Sequence, residues 1–132
     1  MKDIKHIFRS FGFAMHGLRH AYRSDKSFRM EIYYGFPIYL LLGWLYFPMV
    51  PWELALFVFS YLLILIIELV NTAFEKMLDR VHPDQHELIA KSKDIAAAAV
   101  FTAFLFGCIV NLLLIYTHFF VNSSFGLGTH FV

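Results

Sequence analysis

Charge is scarce in this chain. Asp, Glu, Lys and Arg make up 16% of its 132 residues, against roughly 25% in an ordinary soluble domain. A soluble domain of this length leaves much of its surface in water and needs polar residues to cover it. The scarcity therefore argues against a soluble monomer. Cysteine is scarcer still: Cys108 stands alone, which excludes an internal disulfide framework. A net charge of +1 excludes a basic arm for nucleic acid, and no partner of that kind is expected. The phosphate loop G-x-x-x-x-G-K-[ST], the glycine-rich loop G-x-G-x-x-G and a serine nucleophile elbow are all missing. Gly126 and Gly128 make only a G-x-G near the C-terminus, which carries no weight. What remains is apolar. Hydrophobic residues reach 59% and aromatics 19%, with 16 Phe among them. Such a chain is not disordered. It reads as a small integral membrane protein of one domain, residues 1–132.

The apolar residues come in runs. Ile32 to Val50 is free of charge for 19 residues, interrupted by Gly35, Pro37 and Gly43, which membrane helices tolerate. Pro48 and Pro51 mark a turn. Leu54 to Ile67 is again apolar, and a helical pattern continues through Glu68 to about Met77. Residues 79–94 are polar, and Ile95 to Val121 is a third uncharged run, 27 residues long. A bilayer core takes about 20 residues of helix. The expectation is an all-α membrane protein with spans over 32–50, 54–77 and 95–121 and an external tail over 122–132. Residues 1–31 carry seven of the eleven Lys and Arg, and Lys76, Arg80, Lys91 and Lys93 flank the second connection. The first connection and the tail carry none. Basic residues stay on the cytoplasmic side, so the N-terminus and the second loop are expected there, in the cytoplasmic membrane.

The first 30 residues lack the continuous apolar centre and small-residue cleavage site of a signal peptide. Ile4, Ile7, Phe8, Phe11, Met15, Leu18 and Tyr22 recur at helical spacing, opposite Lys5, Arg9, Arg19 and Arg23. This predicts an amphipathic helix over 1–30 lying in the interface. It serves as an anchor to anionic lipid or, on a sharper reading, covers a site. Two His pairs fall at i, i+4: His16 with His20, and His82 with His86. Zinc would want a third ligand and supporting hydrogen bonds, and Pro83 interrupts the second pair, so zinc is not expected.

Glu68, Asn71, Glu75 and Asp79 fall at i, i+3, i+7 and i+11. They form one polar stripe, within roughly 80° around a helix. It starts inside the apolar segment and climbs to the surface. Ionisable residues in a span are costly, by several kcal/mol or more, and mark functional sites. Asp79 also has a plain reading, as partner of Lys76 or Arg80. A carboxylate removed from water is a better general base, which suits Glu68, the deeper one. One nearer the surface stays ionised and holds a divalent cation, which suits Glu75. Asp25 lies at a compatible depth to join it. Lys93 is placed to hold phosphate, with Asp94 orienting it.

The segment from Glu68 to Asp79, ELVNTAFEKMLD, resembles the signature E-x-x-N-[ST]-A-x-E-x-x-x-D of the small prokaryotic diacylglycerol kinases. The resemblance extends to His86-Glu87-Leu88, to Lys93-Asp94 with the Ala-rich stretch beyond, to Gly17-Leu18-Arg19 and to Phe28-Arg29-x-Glu31, and covers about residues 5–120. It implies a homotrimer of three-span subunits, each with an N-terminal surface helix. It implies transfer of the γ-phosphate of ATP, with Mg2+, to a lipid hydroxyl at the membrane surface. Glu68 would be the general base and Asn71 would orient the site. Asp25 and Glu75 would hold the metal. Asp84, Gln85 and His86 match the nucleotide-contacting loop, and Lys93 and Asp94 match contacts to its phosphates or adenine. Arg19, Tyr22 and Glu31 fall where the family touches lipid or braces the surface helix. Three positions depart from the pattern. Residue 25 is Asp where Glu is common, and His6 and Phe13 stand where some members have Arg and Tyr near the nucleotide.

The lipid is read as diacylglycerol, because the loop from Asp79-Arg80 to His86-Glu87-Leu88 resembles the Gram-negative type. Undecaprenol, which presents a similar primary hydroxyl, is the alternative. A small proton-coupled transporter would use a membrane Glu without needing Asp79, Lys93 or Asp94. A structural subunit would leave the stripe unexplained.

Overall fold

The computed structural model describes residues 2–81 and 87–121, and among these every regular element is a helix. The tail 122–132 and the loop residues Asp84, Gln85 and His86 lie outside the described residues. Helix α1 spans Lys2–Ser24. Its last carbonyls need partners. The Arg29 guanidinium supplies them, donating to the carbonyls of Tyr22 at 3.1 Å and Arg23 at 3.3 Å. Asp25 then leaves helical geometry, with φ −110° and ψ 126°, and caps α2 (Lys26–Met30) by accepting the Phe28 N–H at 2.9 Å. Asp is among the preferred residues at such a cap. The helix predicted over 1–30 is thus two helices with a joint at Asp25. Hydrophobic periodicity runs across the joint and does not reveal it.

A π-helical turn, Glu31–Gly35, carries the chain from α2 into α3 (Phe36–Leu45). Together they make the short composite helix that covers most of the first apolar run. The chain turns through Tyr46 to Val50 and enters α4 (Pro51–Val81). Pro51 suits a first helical position because its missing N–H would be unpaired there anyway. The Val50 carbonyl accepts the first helical bond from Leu54, and Glu53 reaches back to accept the Val50 N–H at 3.1 Å. That is half of a capping box. Helix α5 spans Glu87–Ile115 and ends in a second π-helical segment, Tyr116–Val121. Both long helices run past their apolar runs, so most of the polar stretch 79–94 is helical too.

Helices α4 and α5 pack against each other along their length. The buried residues of α4 are Glu53, Phe57, Ser60, Ile64, Glu68 and Thr72, spaced three or four apart. The matching positions of α5 are Ala103, Gly107, Val110 and Leu114. These spacings define one stripe on each helix. The apolar core of Tyr46, Phe57, Val110 and Leu114 gathers at the end where α4 begins. Polar bonds thread the same end. Tyr46 Oη donates to Asn111 Oδ1 at 3.3 Å, Asn111 Nδ2 donates to Tyr39 Oη at 3.3 Å, and Tyr39 Oη lies 3.3 Å from Ser60 Oγ. Gly107 allows close packing here, since a Cβ there would stand 2.9 Å from Tyr39 Oη and 3.2 Å from Ile64 Cδ1 and those side chains would have to give.

Two helices, Pro51–Val81 and Glu87–Phe120, are long and apolar enough to cross a membrane. Only 28% and 22% of their most apolar windows are buried in the structure. A helix at the core of a soluble protein would be largely buried. Here most of the apolar side chains face outward, as a lipid solvent allows.

Candidate active site

The ionisable groups collect at the opposite end, where α1, α2 and the π turn meet the later half of α4. Glu68 is at its centre. It is 4% exposed, and its Oε2 has no hydrogen-bond partner among the described residues. The charges of Asp25, Glu31 and Glu75 all bear on it electrostatically. Carboxylates from three segments, Asp25, Glu31 and Glu75, therefore lie within electrostatic reach of Glu68. Leaving a buried polar atom unpaired costs about 1–3 kcal/mol, more when charged. An acceptor kept in that state within an acidic cluster is one that a substrate hydroxyl, a proton or a cation would satisfy.

Asn71 lies one turn along. Its amide nitrogen donates to Glu75 Oε1 at 3.3 Å, while its own Oδ1 is buried without a partner among the described residues. Asn71 thus fixes Glu75 and keeps one buried oxygen without a donor. It also borders a groove of about 440 Å³ between α4 and α5, lined by Ile67, Phe74, Ser92 and Ala96. Glu31 is placed by the π turn. Its carbonyl accepts from Tyr61 Oη at 3.0 Å. Its carboxylate lies over Gly35, where a Cβ would come within 3.0 Å of Glu31 Oε2. Glycine makes room for that carboxylate.

Asp79 pairs with Lys93 Nζ across the α4–α5 hairpin. The local partners expected for Asp79, Lys76 and Arg80, and the expected support of Lys93 by Asp94, give way to this one contact between helices. Asp94 itself is exposed. Arg19 and Tyr22 line a trough of about 740 Å³ between the surface helix and the start of the next, together with Met15, Leu18, Phe28 and Ile32. The trough is mostly apolar, and no carboxylate lines it.

Two features escape sequence reasoning. Thr72, 5% exposed, donates its hydroxyl to Asp25 Oδ2 at 2.8 Å. At the other end of the bundle, His118 Nε2 lies 3.3 Å from Glu53 Oε2, both side chains nearly buried. Partners 47 and 65 residues apart leave no local pattern to read. The only signal for the second pair was that each is a polar residue at the end of an apolar run.

The described residues hold no group of three or more His, Cys, Asp and Glu placed to bind a metal. The atoms present are hard oxygens: the carboxylates of Asp25 and Glu75 and the unpartnered Asn71 Oδ1. Oxygens of that kind suit Mg2+, which is usually held by one or two carboxylates together with substrate phosphates and water.

Comparison with known proteins agrees with this chemistry. The family model described as prokaryotic diacylglycerol kinase matches residues 12–115. The diacylglycerol kinase of Haemophilus influenzae is 31% identical over 113 residues, spanning 83% of this chain and 89% of that protein. The diacylglycerol kinase of Escherichia coli strain K12 is 30% identical over 113 residues, spanning 86% of this chain and 91% of that one. The diacylglycerol kinase of Pseudomonas aeruginosa is 33% identical over 103 residues, spanning 76% and 80%.

Proposed function

The chain belongs to the prokaryotic diacylglycerol kinase family, and on that premise we propose that it moves the γ-phosphate of ATP to the hydroxyl of diacylglycerol, giving phosphatidic acid. It is a membrane lipid kinase. The observation that carries the reaction to particular atoms is the buried, unpartnered carboxylate oxygen of Glu68 in an otherwise apolar stretch of α4.

Glu68 accepts the proton of the lipid hydroxyl as that oxygen attacks the γ-phosphorus and the bond to ADP breaks. A base within hydrogen-bond reach of the proton is what general base catalysis asks for. Phosphoryl transfer otherwise needs positioning and charge neutralisation. Asp25 and Glu75 would hold the Mg2+, which when bound would supply positive charge against the β- and γ-phosphates. Asn71 orients Glu75 through the bond described above. Lys93 offers a cation to the phosphates, and Asp79 holds it at the mouth of the hairpin. Asp94 and the loop residues Asp84, Gln85 and His86 contact the nucleotide. Arg19, Tyr22 and Glu31 receive the lipid or brace the surface helix over it.

The chain sits in the cytoplasmic membrane with its N-terminus and second loop in the cytoplasm, as the basic residues of those segments support. The composite helix over residues 26–45 is the first of three spans. Three helices enclose little on their own, and the outward apolar faces of α4 and α5 suit a homotrimer with shared sites.

The test is direct. Purified protein in mixed micelles receives labelled ATP, Mg2+ and either diacylglycerol or undecaprenol. Preferential labelling of diacylglycerol supports the reading, preference for undecaprenol renames the substrate, and no labelled lipid ends it. Glu68→Gln should lower kcat by about 10²–10⁴-fold while nucleotide binding persists. Loss of nucleotide binding instead would take Glu68 out of the base role.

A further inference from the structure

We infer that Thr72 is a positioning residue, whose hydroxyl holds the Asp25 carboxylate against α4 in the orientation that faces the divalent cation. The inference rests on the reading above, in which Asp25 and Glu75 bind the metal. Its observation is separate from that reading.

Asp25 sits at the joint between α1 and α2, so its backbone alone does not determine where its carboxylate points. Two bonds do. Oδ1 accepts the Phe28 N–H at 2.9 Å, and Oδ2 accepts the Thr72 hydroxyl at 2.8 Å. With both oxygens engaged from different sides, the carboxylate plane is held, and the remaining lone pairs are directed. A hydrogen bond to an ionised acceptor is about twice as strong as a neutral one.

The plain reading of a helical Thr is that it donates to the carbonyl four residues back. Thr72 does lie 2.9 Å from the Glu68 carbonyl. One hydroxyl carries one proton, so the carbonyl shares that proton with a carboxylate 47 residues away. The plain reading does not account for that second acceptor. Thr72 is also buried, and it follows Glu68 by four residues on the same face of α4. The bond therefore brings Asp25 beside the carboxylate cluster. Branching at Cβ restricts Thr to few χ1 rotamers, which adds rigidity on the α4 side. Asp is one methylene shorter than Glu, and a tether from α4 is what a shorter ligand at this position would need.

The test measures metal binding apart from turnover. Mn2+ is titrated into protein in detergent micelles with a non-hydrolysable methylene analogue of ATP, and free Mn2+ is counted by electron paramagnetic resonance. Asp25→Asn should weaken binding. Thr72→Val, close in shape but without the donor, should weaken it about tenfold or more, the usual range for removing a hydrogen bond to a metal ligand. Thr72→Ser should stay within about twofold of the parent, because the donor is kept. The double variant Asp25→Asn with Thr72→Val should bind no worse than Asp25→Asn alone. Helix content by circular dichroism checks folding, and Thr72→Ala replaces the valine variant if the latter does not fold. An unmoved titration for Asp25→Asn overturns the metal reading of Asp25 and this inference with it. A weakened Asp25→Asn beside an unmoved Thr72→Val overturns the inference alone. Failure of serine to restore binding, or additive losses in the double variant, also overturn it.

Discussion

Glu68 is costly to keep where it stands, because a carboxylate in an apolar helix loses its water and here gains no donor for Oε2. A substitution that keeps its shape should therefore be tolerated by the fold while removing the chemistry. Glu68→Gln is expected to melt no lower than the parent, which thermal unfolding in micelles would check. A clear drop would mean that the carboxylate supports packing. Lys93 and Asp79 are predicted to behave unequally. Lys93→Met should raise the KM for ATP about tenfold or more if the proposed charge-assisted contact to phosphate is made. Asp79→Asn, which only loosens the lysine, should raise it less. Equal effects would place both residues on the nucleotide. The stripe itself was legible in the sequence because its spacing of three and four is local to one helix. The partners of its members were not. Asp79 meets Lys93 and Asp25 meets Thr72 only once the helices are in register, and single-helix periodicity is silent about that register.

Elements fail in their own ways. Runs of apolar residues mark α4 and α5, because nothing else puts so many exposed hydrophobic side chains on a long helix. The first apolar run was harder. It becomes most of a π turn and α3, in a composite helix that begins before the run, with α2 at the Asp25 cap. Caps and π turns depend on one or two side-chain bonds, and such bonds leave little trace in hydropathy. Gly107 tests the packing of the long elements. Its Cβ would press on Tyr39 Oη and Ile64 Cδ1, and Tyr39 is tied to Asn111 and Ser60. Gly107→Val should destabilise the bundle by about 1–3 kcal/mol through overpacking, read as an earlier unfolding midpoint in denaturing detergent. An unchanged midpoint would mean that α3 can shift aside. Arg29→Ala should fray the end of α1, seen as faster amide exchange near Tyr22, with α4 unaffected.

At the scale of the molecule, two ends separate. Glu53 and Glu68 are 15 residues apart on α4, which is about 22 Å of helix. One end carries the apolar core and the Glu53–His118 pair, and the other carries the acidic cluster. His118→Ala should cost about 1–3 kcal/mol of stability by leaving Glu53 short of a partner, while kcat stays near the parent value. A large loss of kcat would show that the ends communicate. If sites are shared between subunits, mixing inactive Glu68→Gln protein with Lys93→Met protein at low ATP should give more activity than the two give separately, and no gain would argue for sites within single subunits. The whole is anchored as a cantilever is: clamped where Tyr46, Phe57, Val110 and Leu114 interlock, while the end that carries Glu68 is held by single side-chain bonds such as Thr72 to Asp25 and Lys93 to Asp79. Warming should slacken the free end first. Lipid phosphorylation is then lost at a temperature where circular dichroism still reports a full complement of helix, and returns on cooling because the clamp never opened.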